Sequence, residues 1–121
     1  MIYILFIWYP KCSTCKRAKD YLDKRNIKYE LRNIVLDKLS CDEVKKYYNM
    51  SGYELKRFFN TSGLKYRELE LKNKLEILDE DEKLKLLSSD GMLVKRPILV
   101  TDSKVLVGFR EKEWSDYFEN N

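Results

Sequence analysis

Residues 2–25 read IYILFIWYPKCSTCKRAKDYLDKR, and the joint in the middle of this stretch decides the fold. Ile2–Tyr9 is a continuous apolar run rich in Ile, Tyr, Phe and Trp. Its lack of polar alternation predicts a central strand covered on both faces. Pro10 stops it. From Ser13 to Arg25, the residues Cys15, Ala18, Tyr21 and Leu22 recur at three- and four-residue spacing with Lys and Asp between them. That is the pattern of an amphipathic helix. Cys12-Ser13-Thr14-Cys15 sits where strand hands over to helix. A cysteine there meets the free backbone N–H groups and the positive end of the helix dipole, and both favour the thiolate. Lys11, Lys16 and Arg17 add positive charge nearby. Cys15 lies one turn into the helix on the same side, where it can attack a mixed disulfide on Cys12 and release the product. Cys15 also shares a stripe with Ala18 and Leu22, so a small core residue is the plainer reading of it; both roles are compatible.

Moving outward, Lys28–Ile34 (KYELRNI) predicts a second strand, which completes a strand–helix–strand unit. The middle is different. Ser40-Cys41-Asp42-Glu43 is a capping box, opening a helix with Val44, Tyr47 and Tyr48 on one face. Gly52 breaks or bends it. Thr61-Ser62-Gly63 is a turn, followed by leucines at 64, 69, 71 and 75. Asp79-Glu80-Asp81-Glu82 places acid at a helix start, and Gly91 is the expected C-cap. Residues 37–93 therefore read as helical. Pro97–Thr101 (PILVT) and Lys104–Val107 (KVLV), parted by Asp102-Ser103, predict a two-residue hairpin. Glu111–Phe118 predicts a terminal helix with Trp114, Tyr117 and Phe118 packed. Neither β region has enough strands to stand alone, so one domain with a helical insertion explains the pattern best.

Composition narrows the chemistry. The 121 residues suit one domain with a real core. There is no histidine, which removes Ser-His-Asp triads and Cys-His dyads. Three cysteines cannot close a four-cysteine zinc site, and no metal is expected. The 24 Lys/Arg and 20 Asp/Glu are interspersed, as on a solvated surface rather than one built for nucleic acid. The run Met1–Tyr9 lacks the flanks of a signal peptide and is far short of the roughly 18–20 residues that span a bilayer. A cytoplasmic protein, with no membrane contact and with reduced or catalytic cysteines, is the expectation. Cys41, at the first position of its helix, reads as a bystander thiol. Arg96-Pro97 opens a strand without losing a ladder bond. It is either an ordinary strand start or a cis-proline turn beside the thiols, with Arg96 offering a planar fork to an anion.

YPKCSTCKRAKDYL, FFNTSGLKYRELELK, LLSSDGMLVKRPILV and VLVGFREKEW, in that order, resemble the arsenate reductase/Spx family of thioredoxin-like proteins. The resemblance implies an α/β, thioredoxin-like fold. Its core would be residues 1–36 and 94–121, and a helical insertion, residues 37–93, would separate βαβ and ββα parts. It implies that Cys12 is the reactive thiol and that Pro97 is a cis-proline facing it. Arsenate reductases of the family hold the oxyanion with one cysteine and three arginines. Cys12 and Arg96 match two of these, while the other two positions fall at Asn60 and near Phe109, beside Arg110. The Spx regulators share the C-x-x-C switch, and their insertion carries a glycine, near Gly52 here, that contacts the RNA polymerase alpha subunit. The reading that follows is a thiol–disulfide oxidoreductase in which Cys12 attacks and Cys15 resolves. Lys11, Arg96, Pro97 and the Asn60-Thr61-Ser62 turn would face a disulfide or small oxyanion. No tightly bound cofactor is implied; an external thiol (glutathione, thioredoxin or another low-molecular-weight thiol) would reset the pair. A redox-switched regulator and a true arsenate reductase are the alternatives.

Overall fold

The computed structural model describes residues 3–120. The first strand, β1 (Ile4–Trp8), is followed by α1 (Ser13–Lys24) and β2 (Glu30–Asn33). Next come α2 (Cys41–Ser51), α3 (Leu64–Glu68), α4 (Leu71–Lys74) and α5 (Glu80–Ser89), with 3-10 turns at Leu55–Phe58 and Gly91–Leu93. Then β3 (Ile98–Thr101), β4 (Val105–Val107) and α6 (Glu111–Glu119) close the chain. The four strands form one sheet in the order β2-β1-β3-β4. β2 runs parallel to β1, while β3 is antiparallel to β1 and β4. Residue 2, the first of the expected strand, lies outside the described residues.

The uniform apolarity of β1 follows from its place between two layers. Ile4 and Phe6 point to one face, where Ala18, Tyr21 and Leu22 of α1 and Trp114 of α6 cover them. Leu5 and Ile7 point to the other, against Val44 and Tyr47 of α2 and against Phe58, Phe59 and Leu87. Side chains alternate across a strand, so a strand buried on both faces must be apolar at every position. Trp114 is fully buried, and its Nε1 donates to the Gly108 carbonyl at 3.1 Å. The 101–104 turn closes as a two-residue hairpin: the Thr101 N–H donates to the Lys104 carbonyl at 2.8 Å, and Thr101 Oγ1 accepts from the Lys104 N–H at 3.0 Å.

The segment between β2 and β3 is more broken than its leucine spacing suggests. Glu70 stands between α3 and α4 at φ 54°, so the run from Leu64 to Leu75 is two short helices rather than one. The capping boxes at Ser40/Glu43 and Asp79/Glu82 are both formed. Gly52 ends α2 in the left-handed region at φ 75°. Gly91 is not the C-cap of α5. Asp90 takes that place in extended conformation, and its carboxylate accepts the Met92 N–H at 2.8 Å. Gly91 is instead a close-approach residue, where a Cβ would lie 2.3 Å from the Ile34 carbonyl oxygen.

The topology positions the site. β3 is antiparallel to β1, with Ile98 opposite Ile7, so the start of β3 lies at the end of β1. Residues just after β1 and just before β3 therefore meet at one end of the sheet.

Candidate active site

Cys12 is the N-cap of α1, in extended conformation (φ −92°, ψ 119°), and is half-buried. Its N–H donates to the Tyr9 carbonyl at 3.0 Å, which closes the turn through Pro10 and Lys11. Burial works against its ionisation. The Cys15 N–H, the Cys15 thiol and the Arg96 guanidinium together outweigh burial and hold the Cys12 thiol below its ordinary range. Cys15 is fully buried, three residues on. Burial, and then the neighbouring Cys12, push its thiol up to about 12, against the opposing pull of the Tyr9 backbone and Arg96. The two thiols are thus split in acidity by their surroundings, one suited to attack and the other to hold a proton. All three cysteines are free thiols here.

Arg96 approaches the pair from the β3 side, across the cis Arg96–Pro97 bond. Its Nε and Nη1 are buried and have no hydrogen-bond partner among the described residues. Its guanidinium carbon lies 5.2 Å from the centre of the Tyr9 ring, which gives the charge a cation–π support. The cation acting on Cys12 is therefore Arg96, from the far part of the chain, whereas Lys11, Lys16 and Arg17 are exposed. Tyr9 was not singled out by the sequence, because it reads there as one more residue of an apolar strand.

The Asn60-Thr61-Ser62 turn is bonded to the segment leading into Arg96. The Asn60 N–H donates to the Leu93 carbonyl at 2.8 Å, and its Nδ2 to Met92 at 3.4 Å. Ser62 Oγ donates to Asn60 Oδ1 at 3.4 Å. Thr61 and Ser62 are exposed. The described hydrogen bonds tie this turn to residues 92–93, not to the thiols. Arg57 is spoken for: its Nη2 donates to the Val107 carbonyl and to Glu113, each at 3.1 Å. Cys41 is outside the pair, with Sγ 3.0 Å from Ser88 Oγ at the contact of α2 with α5.

A strand leading through a turn to C-x-x-C at the head of a helix, with a cis X-Pro bond at the start of an antiparallel neighbour, has the architecture of a thioredoxin-like protein. The model of the ArsC family matches residues 7–117, and the chain belongs to that family. It is 50% identical to YusI, an uncharacterised protein of Bacillus subtilis, over 98% of this chain and 97% of that one. It is 28% identical to the global transcriptional regulator Spx of Listeria innocua, over 86% of this chain and 78% of the regulator. Among solved structures, an ArsC family related protein of Bacteroides fragilis superposes with a TM-score of 0.91 at 48% identity, covering 93% of this chain and 95% of that one. A possible arsenate reductase of Streptococcus mutans gives 0.85 at 43% identity, with 95% and 99% covered. No helix of the described residues is long and apolar enough to cross a membrane.

Proposed function

We propose that the protein is a thiol–disulfide oxidoreductase of the arsenate reductase-like kind. The Cys12 thiolate attacks a disulfide R–S–S–R′, forms Cys12–S–S–R and expels R′S⁻, which takes up a proton. Cys15 then loses its proton and attacks the Cys12 sulfur, expelling RS⁻ and leaving a Cys12–Cys15 disulfide. Two electrons have passed from the protein to the substrate. An external thiol reductant returns them, with no bound cofactor, in a reducing compartment such as the cytoplasm.

The observation that carries this reading is the placing of Cys12 at the N-cap of α1, with buried Cys15 one turn on and the Arg96 guanidinium beside the pair. The opposed acidity of the two thiols agrees with it. The order of steps follows from that acidity. Burial first, and then the hydrogen bond and charge of the Cys12 thiolate, hold the proton on Cys15. Once Cys12 is bound to R, that charge is gone and only burial resists Cys15. Arg96, Pro97 and Lys11, with the Asn60-Thr61-Ser62 turn behind them, form the rim we assign to the substrate. The unpartnered Nε and Nη1 of Arg96 suit an anionic group there.

The test is turnover of a disulfide in the presence of glutathione or thioredoxin, with arsenate as the oxyanion comparison. Cys12→Ser should abolish turnover. A protein that turns over neither substrate is not this enzyme. With Asn60 and Phe109 at two positions where the resemblance expects arginine, disulfide should be the better substrate.

A second reading draws on the relatives named Spx. There the thiol pair would act as a redox switch, with exposed Gly52 in a surface that meets the RNA polymerase alpha subunit. Binding of that subunit that changes on oxidation of Cys12 and Cys15, with no turnover, would favour the switch.

A further inference from the structure

A groove of about 430 Å³ lies beside the segment that presents Arg96. Phe59 and Tyr53 supply its apolar lining, and Lys56, Arg57 and Lys95 its charge, against the single acid Glu54. The aromatic wall is itself charged from outside: the Arg57 guanidinium carbon lies 3.8 Å from the Tyr53 ring centre and Lys104 Nζ 6.0 Å. Arg57 is fixed by Glu113 and the Val107 carbonyl. Lys56 and Lys95 make no ion pair among the described residues. Three cations thus line a concave surface with one carboxylate, Glu54; Glu113 is engaged by Arg57, and Lys104 stands over the Tyr53 ring. Scattered surface lysines do not make a site. These converge on a cleft of ligand size, with an aromatic lining.

The cleft is also built into the same bonded unit as the candidate active site. Phe59 pairs with Val94, and the Lys95 N–H donates to the Phe58 carbonyl at 2.8 Å. Lys95 directly precedes Arg96. The Gly108 N–H, one residue beyond the carbonyl that holds Arg57, donates to the Pro97 carbonyl at 2.8 Å. The groove and Arg96 are thus neighbours along the chain, through Lys95.

We propose that the groove is a carboxylate-binding subsite, which holds acidic side chains of a peptide or protein disulfide while Cys12 attacks its sulfur. This rests on the thiol–disulfide reading above and adds the substrate class: an acidic polypeptide rather than a small disulfide.

Two disulfide peptides of equal length test it, one carrying three glutamates near the cysteine and the other three glutamines. At low salt the wild type should react with the acidic peptide about tenfold faster, as expected for two or three surface ion contacts. Lys56→Gln combined with Lys95→Gln should erase that preference and leave the glutamine peptide unchanged, and high salt should do the same. A parallel binding measurement uses Cys12→Ser protein and fluorescent peptides with serine in place of cysteine. It reads the groove without any thiol chemistry, and the acidic peptide should again bind tighter by a similar factor. Preference in binding without attack on either peptide upholds the groove and defeats the oxidoreductase reading. Equal binding of both peptides overturns the groove, as does a preference that survives loss of both lysines. Displacement of the acidic peptide by free glutarate at equal concentration would also overturn it, since the ligand would then be a small dicarboxylate.

Discussion

The chain has no histidine, and the group that offsets a negative charge on Cys12 is Arg96. An arginine does not titrate in this range, so it stabilises a thiolate without competing for its proton. Arg96→Met should therefore move the midpoint of Cys12 alkylation to higher pH and slow the reaction several-fold at neutral pH. Arg96→Lys should restore part of the loss. An unchanged midpoint in Arg96→Met would remove Arg96 from the site. Cys12 and Cys15 were legible in the sequence because their spacing and the strand–helix joint are local. The approach of Arg96 was legible only as one of two readings of Arg96-Pro97 and through the family resemblance, because it depends on β3 pairing antiparallel to β1. Tyr9 was hidden for a different reason: its ring supports Arg96 while its neighbours in the run are ordinary core residues.

At the scale of elements, Arg32 on β2 fixes the start of α2. It bonds both Glu43 oxygens, one at 3.0 Å, and its Nε donates to the Asp37 carbonyl at 2.9 Å. Arg32 and the capping bonds at Ser40 outweigh burial and hold the Glu43 carboxyl down at about 2. A carboxylate with a depressed pKa stabilises the fold above its unfolded value, near about 4.3. That contribution fades as pH falls from there towards about 2. Arg32→Met should cost about 1–2 kcal/mol at neutral pH, allowing for the partial exposure of Glu43, and should flatten the acid limb of stability against pH. Thermal melts between neutral and acid pH measure both effects.

Two glycines give a sharper contrast. Gly91→Ala drives a Cβ into the Ile34 carbonyl and should cost about 3 kcal/mol. Gly52→Ala has open space but keeps a left-handed φ and should cost about 1 kcal/mol. Denaturant unfolding of the two variants checks the order. The sequence marked Gly52 as a break or bend and Gly91 as a helix C-cap, since position after a helical pattern is all it offers. Only the packing of the 91–93 turn on the residue that follows β2 separates them. The Ser40 box, by contrast, needed no tertiary information and was legible outright. The break at Glu70 was not, because Leu64, Leu71 and Leu75 fit a helical period whichever way the backbone turns between them, and only Leu69 falls off it.

Across the whole molecule, a sheet with two covered faces brings the end of β1 to the start of β3, and the thiol site is what stands there. Trp114 pins the far layer. Its ring meets Phe109 edge-on at 4.9 Å and also contacts Phe6 and Tyr21. Trp114→Ala should cost about 4 kcal/mol by denaturant unfolding. The strand–helix–strand start and the closing hairpin and helix were legible because each has a short, strong period. The pairing of β3 with β4 was legible in the spacing around Asp102-Ser103, whereas the antiparallel pairing of β1 with β3 was not, because no local period records it.

The central claim is that Cys12 attacks and Cys15 resolves. Mass spectrometry after a single turnover of reduced protein with a disulfide tests it most directly, with fragments mapped to each cysteine. Wild type should end as an intramolecular Cys12–Cys15 disulfide with no adduct. Cys15→Ser should stop with the substrate thiol attached to Cys12. An adduct on Cys41, or wild-type protein that keeps its adduct on Cys12 while Cys15 stays reduced, would contradict the account.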